Sequence, residues 1–149
     1  MRALLQRVTR AEVRVDGDAV GRIGGGLVVF LGVGPDDDDA TTDALARQII
    51  ELRIFRDEAS RTNRSLLDVA GAVLVVSQFT LFASTRGGRR PGFGAAGPAE
   101  LAERLYERFS AALRGAGVEV ANGRFGTEME VELVNDGPMT IWLDTKDRG

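Results

Sequence analysis

No cysteine and no histidine occur in the 149 residues. The first absence removes disulfide frameworks and thiolate chemistry. Together they exclude Ser-His-Asp and Cys-His catalysis, and every zinc site built on imidazole or thiolate. An enzyme made from this chain must work with Thr or Ser hydroxyls, carboxylates, arginines, the single Lys146, the single Tyr106, backbone amides or the substrate's own groups. Aromatics are also scarce, with seven Phe, one Trp and one Tyr. They do not interleave with basic residues as in a sheet that stacks RNA bases. That counts against a non-catalytic RNA-binding module, which stands as the alternative reading. No apolar run approaches the ~20 residues of a membrane span. The start, Met1 to Arg7, lacks a long apolar core and a small-residue cleavage site. The expectation is a cytoplasmic protein with no membrane partner.

What is present is ordinary in bulk and uneven in detail. Hydrophobic residues make up 44% and charged residues 28%, the balance of a soluble domain. The length fits a single domain, 1–149, with a real core. A net charge of −3 argues against indiscriminate nucleic-acid coating. Acid concentrates at Asp36-Asp37-Asp38-Asp39 and base at Arg86, Arg89 and Arg90. The four aspartates lack the alternation, glycine and terminal Glu of a calcium loop. They read as an acidic lead into a helix N-terminus. No metal or cofactor is expected.

Residues 2–8 and 12–15 read as strands, Asp16-Gly17-Asp18 as a turn and Ala19 to Ile23 as the partner strand. Gly24-Gly25-Gly26 is not followed by the Lys and Ser/Thr of a phosphate-binding loop, so it reads as a flexible turn. Leu27 to Val33 is a buried strand. Thr41 or Thr42 caps a helix reaching about Arg53, with Leu45, Ile49 and Leu52 on one face. Ile54-Phe55 is extended, Arg56 to Arg64 irregular, and Ser65 to Ala70 a candidate edge strand. Pro98 opens a second helix whose stripe is Leu101, Leu105, Phe109 and Leu113, with Glu100 and Arg104 able to pair on its outside. Val118 to Val120 is a short strand. Glu128 to Val134 alternates, with Met129, Val131 and Leu133 inward and Glu128, Glu130 and Glu132 outward. Asn135 to Pro138 breaks that strand, Met139 to Leu143 resumes it, and Asp144 to Gly149 forms a polar tail.

Two stretches carry the chemistry. Val73 to Val76 is an apolar run that ends in Ser77-Gln78-Phe79-Thr80. If the strand stops or bulges there, the Phe79 and Thr80 amides leave the ladder and can stabilise an oxyanion. A Thr hydroxyl with no base beside it is a poor nucleophile, which suits hydrolysis of an already activated ester. The bland alternative is that Ser77 and Thr80 satisfy backbone groups at a strand end. The second stretch is Asn135-Asp136-Gly137-Pro138-Met139-Thr140. Glycine admits close approach of a ligand to backbone, and a Gly-Pro at a strand break can aim carbonyls into a cleft. A plain tight turn is the alternative. Between them, Ser84 to Gly94 is a loop with three arginines and Phe93. By composition a surface loop and a phosphate-binding arm stand level; its place after the central strand favours the arm.

S-Q-F-T-L at Ser77 to Leu81, with N-D-G-P-M-T at Asn135 to Thr140, resembles the D-aminoacyl-tRNA deacylase (D-tyrosyl-tRNA deacylase) family. So do A-L-L-Q-R-V-T-R at Ala3 to Arg10, G-R-R-P-G-F at Gly88 to Phe93 and G-R-F-G-T-E-M at Gly123 to Met129. The resemblance implies an α/β fold: a single domain with a barrel-like mixed β-sheet packed with two main helices, homodimeric. It implies proofreading hydrolysis of D-aminoacyl-tRNA, and of glycine mischarged on tRNA, acting at the 3′ acceptor end. Gly137-Pro138 would be a cis dipeptide entering the partner subunit's pocket. Its carbonyls would hold the substrate amino group and leave no room for an L side chain. Ser77, Gln78, Phe79 and Thr80 would form the catalytic group, with Thr80 at the position proposed as nucleophile in the family. Amides near Phe79 with the ribose 2′-hydroxyl are the reading the residues favour. Phe125, Met129 and Arg7 would join Gly137 and Pro138 in substrate binding. Gly92, Thr127 and Met139 depart from the Ser, Ala, and Val or Phe that relatives commonly carry.

Overall fold

The computed structural model describes residues 1–147. Its strands are β1 (Arg2–Val15), β2 (Asp18–Ile23), β3 (Gly26–Gly32), β4 (Phe55–Arg56), β5 (Thr62–Arg64), β6 (Ala72–Ser77), β7 (Glu119–Asn122) and β8 (Glu130–Asp144). The helices are α1 (Asp39–Glu51) and α2 (Ala99–Gly115), with a 3-10 helix at Phe79–Phe82. A six-stranded sheet runs β2-β1-β3-β6-β7, and β8 pairs β1. It is mixed: β3–β6 and β6–β7 are parallel, and the pairs with β1 are antiparallel. The sheet curls until β2 approaches β7. A Cβ on Gly21 would lie 2.6 Å from Asn122 O, so only glycine allows this near-closure. The α/β fold with a barrel-like mixed sheet and two helices is therefore the observed one.

Strand β1 organises the sheet. It runs unbroken where two strands were expected, because β8 pairs it from Arg2 to Arg14. Its first half also pairs β3 and its second half β2. Asp16 and Gly17 have φ of 50° and 84° and make the tight turn to β2. One core lies between sheet and helices, where Leu5, Leu31 and Val75 meet Leu45, Ile49, Leu105, Phe109 and Leu113. A second lies inside the curl, with Val13, Ile23, Val28, Leu74 and Val76. The runs Val73 to Val76 and Leu27 to Val29 are continuous because these strands bury both faces.

Several boundaries differ from expectation for local reasons. Asp38 caps α1, accepting from Thr41 N at 2.8 Å; Thr42 is buried and its hydroxyl donates to Asp38 O at 2.8 Å. The other aspartates also have separate partners: Asp36 pairs Lys146, Asp37 the Met1 ammonium, and Asp39 both Arg104 and Arg108. Arg104 thus reaches α1 and does not pair with Glu100. Ser65 to Ala70 is a turn and not a strand. Ser65 N donates to Asp68 Oδ2 at 2.8 Å and Asp68 N to Ser65 Oγ at 3.2 Å, which satisfies the backbone locally. The strand falls on Thr62–Arg64 instead. The expected tail begins inside β8. Thr145 N donates to Met1 O at 2.9 Å, and Arg148 and Gly149 lie outside the described residues.

The expected break at Asn135 to Pro138 is a bulge within one long strand. Gln6 faces Thr140 and Val8 faces Asn135, so four residues of β8, Asp136 to Met139, stand opposite Arg7 alone. Asn135 Nδ2 closes the base of this tip, donating to Arg7 O at 2.9 Å and Met139 O at 3.1 Å.

Candidate active site

Strand β6 stops at Ser77, and Gln78 N makes the last ladder bond, to Leu31 O at 2.8 Å. The chain then turns into the 3-10 helix. Amides that open such a helix have no acceptor within it. Among the described residues, Phe79 N and Thr80 N donate to no other group. These are the free amides that the polar strand end suggested.

Phe79 borders a pocket of about 700 Å³. The pocket lining includes Ser77, Gln78 and Phe79, then Phe125 and Met129, and Ala99 and Ala102 of α2. Phe79 is 55% exposed, and its ring meets Phe93 edge-on at 5.1 Å and 75°. The segment that carries Phe125 and Met129 is held from beneath. Arg124 N donates to Met129 Sδ at 3.3 Å, and the Thr127 hydroxyl to Arg124 O at 2.9 Å. Tyr106, 6.0 Å from the Phe125 ring, accepts from Asn122 Nδ2 at 3.0 Å and lies 3.1 Å from Val75 O. Burial pushes the Tyr106 phenol above its ordinary pKa.

Thr80 does not line the pocket. It sits exposed on the 3-10 helix, its hydroxyl accepting from Gln78 Nε2. A carboxamide cannot take the Thr80 proton, so the arrangement is not a nucleophile–base pair. Glu128 is the carboxylate among the pocket's lining residues. It is exposed, as the alternation expected, and it falls within the G-R-F-G-T-E-M stretch, which gave it no role.

Arg7, Gly137 and Pro138 lie elsewhere. Arg7 is 3% exposed. It donates to Ile54 O at 2.6 Å through Nη1 and to Asp136 O at 3.2 Å through Nε. Arg56 completes the cluster, with Nη1 donating to Asp136 Oδ2 at 2.8 Å and Nη2 3.4 Å from Gly137 O. The hydrogen bond from Arg56, aided by the charge on Arg7, holds the Asp136 carboxyl below the usual carboxylate range. Sequence reasoning missed Arg56, which no local pattern ties to the tip. Arg7 and Asp136 line a separate cleft of about 520 Å³. Gly137 and Pro138 are exposed and joined by a cis peptide bond. The structure therefore gathers Ser77, Gln78, Phe79, Phe125 and Met129 into one pocket. It gathers Arg7, Asp136, Gly137 and Pro138 into another place on the same protomer.

Free amides at a partly apolar pocket, with no histidine and Glu128 as the carboxylate of its lining, suit an ester hydrolase that stabilises charge more than it moves protons. Comparison with known proteins agrees. A family model described as D-Tyr-tRNA(Tyr) deacylase matches residues 4–144. A D-aminoacyl-tRNA deacylase of Paracoccus denitrificans is 56% identical, covering 99% of both chains. One of Dinoroseobacter shibae is 60% identical over 97% of this chain and 99% of its own. A solved structure described as c-Myc DNA Unwinding Element Binding Protein superposes with a TM-score of 0.90 at 39% identity, covering 97% of this chain and 98% of that one. A probable eukaryotic D-amino acid tRNA deacylase shares the fold with a TM-score of 0.85 at 20% identity, over 95% of this chain and 97% of its own. The chain belongs to the D-Tyr-tRNA(Tyr) deacylase family and is a hydrolase.

Proposed function

We propose that this protein is a chiral proofreading hydrolase. It cleaves the ester of D-aminoacyl-tRNA, and of glycine mischarged on tRNA, releasing the free amino acid and tRNA. The observation that carries the reading is the pair of free amides at Phe79, which lines the pocket, and at Thr80, the next residue. An ester carbonyl placed there develops its oxyanion against two preorganised donors. Water adds to the carbonyl carbon, the bond to the ribose 3′ oxygen breaks, and that oxygen leaves with a proton. The adjacent 2′-hydroxyl assists the proton's movement, and Thr80, tethered to Gln78, positions substrate or water.

Chirality comes from Gly137-Pro138. The tip is exposed and outside the pocket of its own protomer, so we assign it to the pocket of a second copy. Its carbonyls hold the substrate ammonium, and an L side chain meets backbone there. Glycine passes because it has no side chain to exclude. Exposed Val134 and Trp142 on β8 and Phe79 by the pocket offer apolar surface for such a homodimer. Arg7 and Asp136 hold the base of the tip. No helix among the described residues is long and apolar enough to cross a membrane. A tRNA substrate is consistent with work in the cytoplasm.

The test is release of tyrosine from matched D-Tyr-tRNA and L-Tyr-tRNA, with the mass in solution measured alongside. Rapid release from the D form by a dimer is the expected result. Release from both forms would remove the exclusion argument. Release from neither, by an intact dimer, would return the chain to a nucleic-acid-binding module. The name of the 39%-identical relative is the observation that favours this second reading.

A further inference from the structure

We propose that the loop Ser84–Gly92 is a phosphate clamp, in which Arg86, Arg89 and Arg90 grip the backbone of the RNA acceptor stem whose 3′ end enters the pocket. The inference rests on the hydrolase reading for its ligand, and on three features of the loop for its placement.

The loop is a closed unit. Ser84 N donates to Gly92 O at 2.8 Å and Gly92 N to Ser84 O at 2.8 Å, tying its two ends. It is docked on the site. The residue after the tie, Phe93, lines the pocket and meets Phe79 edge-on at 5.1 Å. Its charge is uncommitted. Eight arginines form ion pairs, and Arg86, Arg89 and Arg90 are among those that form none within the described residues; what sets these three apart is that they share one short loop.

A protein of net charge −3 has no general attraction for RNA. Three unpaired guanidinium groups lie on a loop that holds no acid between Ser84 and Pro98. This concentrates positive charge on the loop that leads into Phe93 of the pocket lining. Planar guanidinium forks match phosphate oxygens in pairs. Phosphate contacts set position and affinity but carry no sequence information. The loop would thus let the protein accept acceptor stems of different sequence while the pocket and tip judge the amino acid.

Each phosphate neutralised contributes about 0.7–0.9 to the slope of log affinity against log salt. Three contacts give a slope of about −2 to −3, or a loss of roughly 20- to 40-fold between 50 and 200 mM salt. The experiment compares the full-length protein with the triple alanine variant (R86A, R89A, R90A) and the triple lysine variant (R86K, R89K, R90K). Binding of a fluorescent acceptor-stem hairpin is followed by anisotropy across salt, and deacylation of D-Tyr-tRNA is followed in parallel. Thermal melts confirm that each variant is folded.

In the expected result the alanine variant loses about two to three units of slope, with KM raised and kcat little changed. The lysine variant keeps the slope. An alanine variant with the wild-type slope and KM would overturn the clamp and leave the hydrolase reading intact. A slope that changes equally with an acidic polypeptide in place of RNA would also overturn it, by moving the loop to a protein partner. Wild-type protein that binds the hairpin with this slope but releases no amino acid would sink the hydrolase reading and leave the clamp standing.

Discussion

Replacing Gly137 by alanine adds one methyl group at the end of the β8 bulge. Within its own protomer that methyl meets nothing closer than Asn135 Oδ1 at 3.4 Å, an ordinary contact. Glycine to alanine at a compatible site stabilises by about 0.4–1 kcal/mol, because the unfolded chain loses freedom. For a chain of this length 1 kcal/mol moves Tm by about 2–4 °C, so the variant should melt at the wild-type temperature or up to ~4 °C higher. In a closely packed partner pocket the same methyl is an intruder, costing about 1–3 kcal/mol. That corresponds to roughly 5- to 150-fold in kcat/KM on D-Tyr-tRNA. Gly21→Ala is the contrasting control. Its Cβ falls 2.6 Å from Asn122 O, so the backbone must shift, with a stability cost of about 1–3 kcal/mol. The assay is a thermal melt and steady-state deacylation on the same preparations. A Gly137→Ala protein with normal Tm and wild-type kcat/KM on D-Tyr-tRNA would refute the tip's entry into a pocket. A fall in Tm of more than about 5 °C that does not depend on protein concentration would refute the claim that the tip is free in its own protomer.

Thr80→Val removes the hydroxyl beside Gln78 and should lower kcat by less than about 10-fold; a loss beyond about 10³ would make Thr80 the nucleophile. Without histidine or cysteine, no side chain of ordinary pKa changes charge between about pH 5 and 8. Any limb of the kcat/KM profile in that range should therefore belong to the substrate ammonium. It should stay in place in Glu128→Gln, which removes the carboxylate lining the pocket; a limb that moves would make Glu128 the base. Asp136 has its pKa depressed, chiefly by the Arg56 hydrogen bond, so its contribution to stability is present above the ordinary carboxylate range and fades as pH falls through the depressed value. Asp136→Asn should be less stable than wild type at pH 7, with the gap narrowing below about pH 4. Equal gaps in denaturant midpoints at pH 7 and pH 3 would count against this.

What was legible in the sequence was local. The runs Val73 to Val76 and Leu27 to Val29 announced strands buried on two faces. The stripe Leu105, Phe109 and Leu113 announced a helix against a core, and all three are fully buried. Asp16-Gly17 announced a hairpin. The polar end of β6 allowed free amides if the strand stopped there; the turn into the 3-10 helix is what frees them. The motifs at Ser77 and Asn135 also marked the family before any coordinates.

The remainder depends on partners far apart in the chain. That β8 would run through Asn135 to Pro138 as a bulge follows from its pairing with β1, more than 120 residues away. Arg7 reads as one charge in an alternating strand until folding brings it to Ile54 and Asp136. Arg56 gains meaning only from Asp136, 80 residues on. Glu128 is exposed as strand alternation expected, but only the fold brings it into the lining of the pocket. Above all, the sequence showed two functional stretches without showing how they relate. Backbone hydrogen bonding places one beside a pocket and the other on an exposed tip. Chain composition determined which chemistry is available, since residue types do not change on folding; tertiary structure decided which groups meet, since that depends on contacts no local pattern encodes.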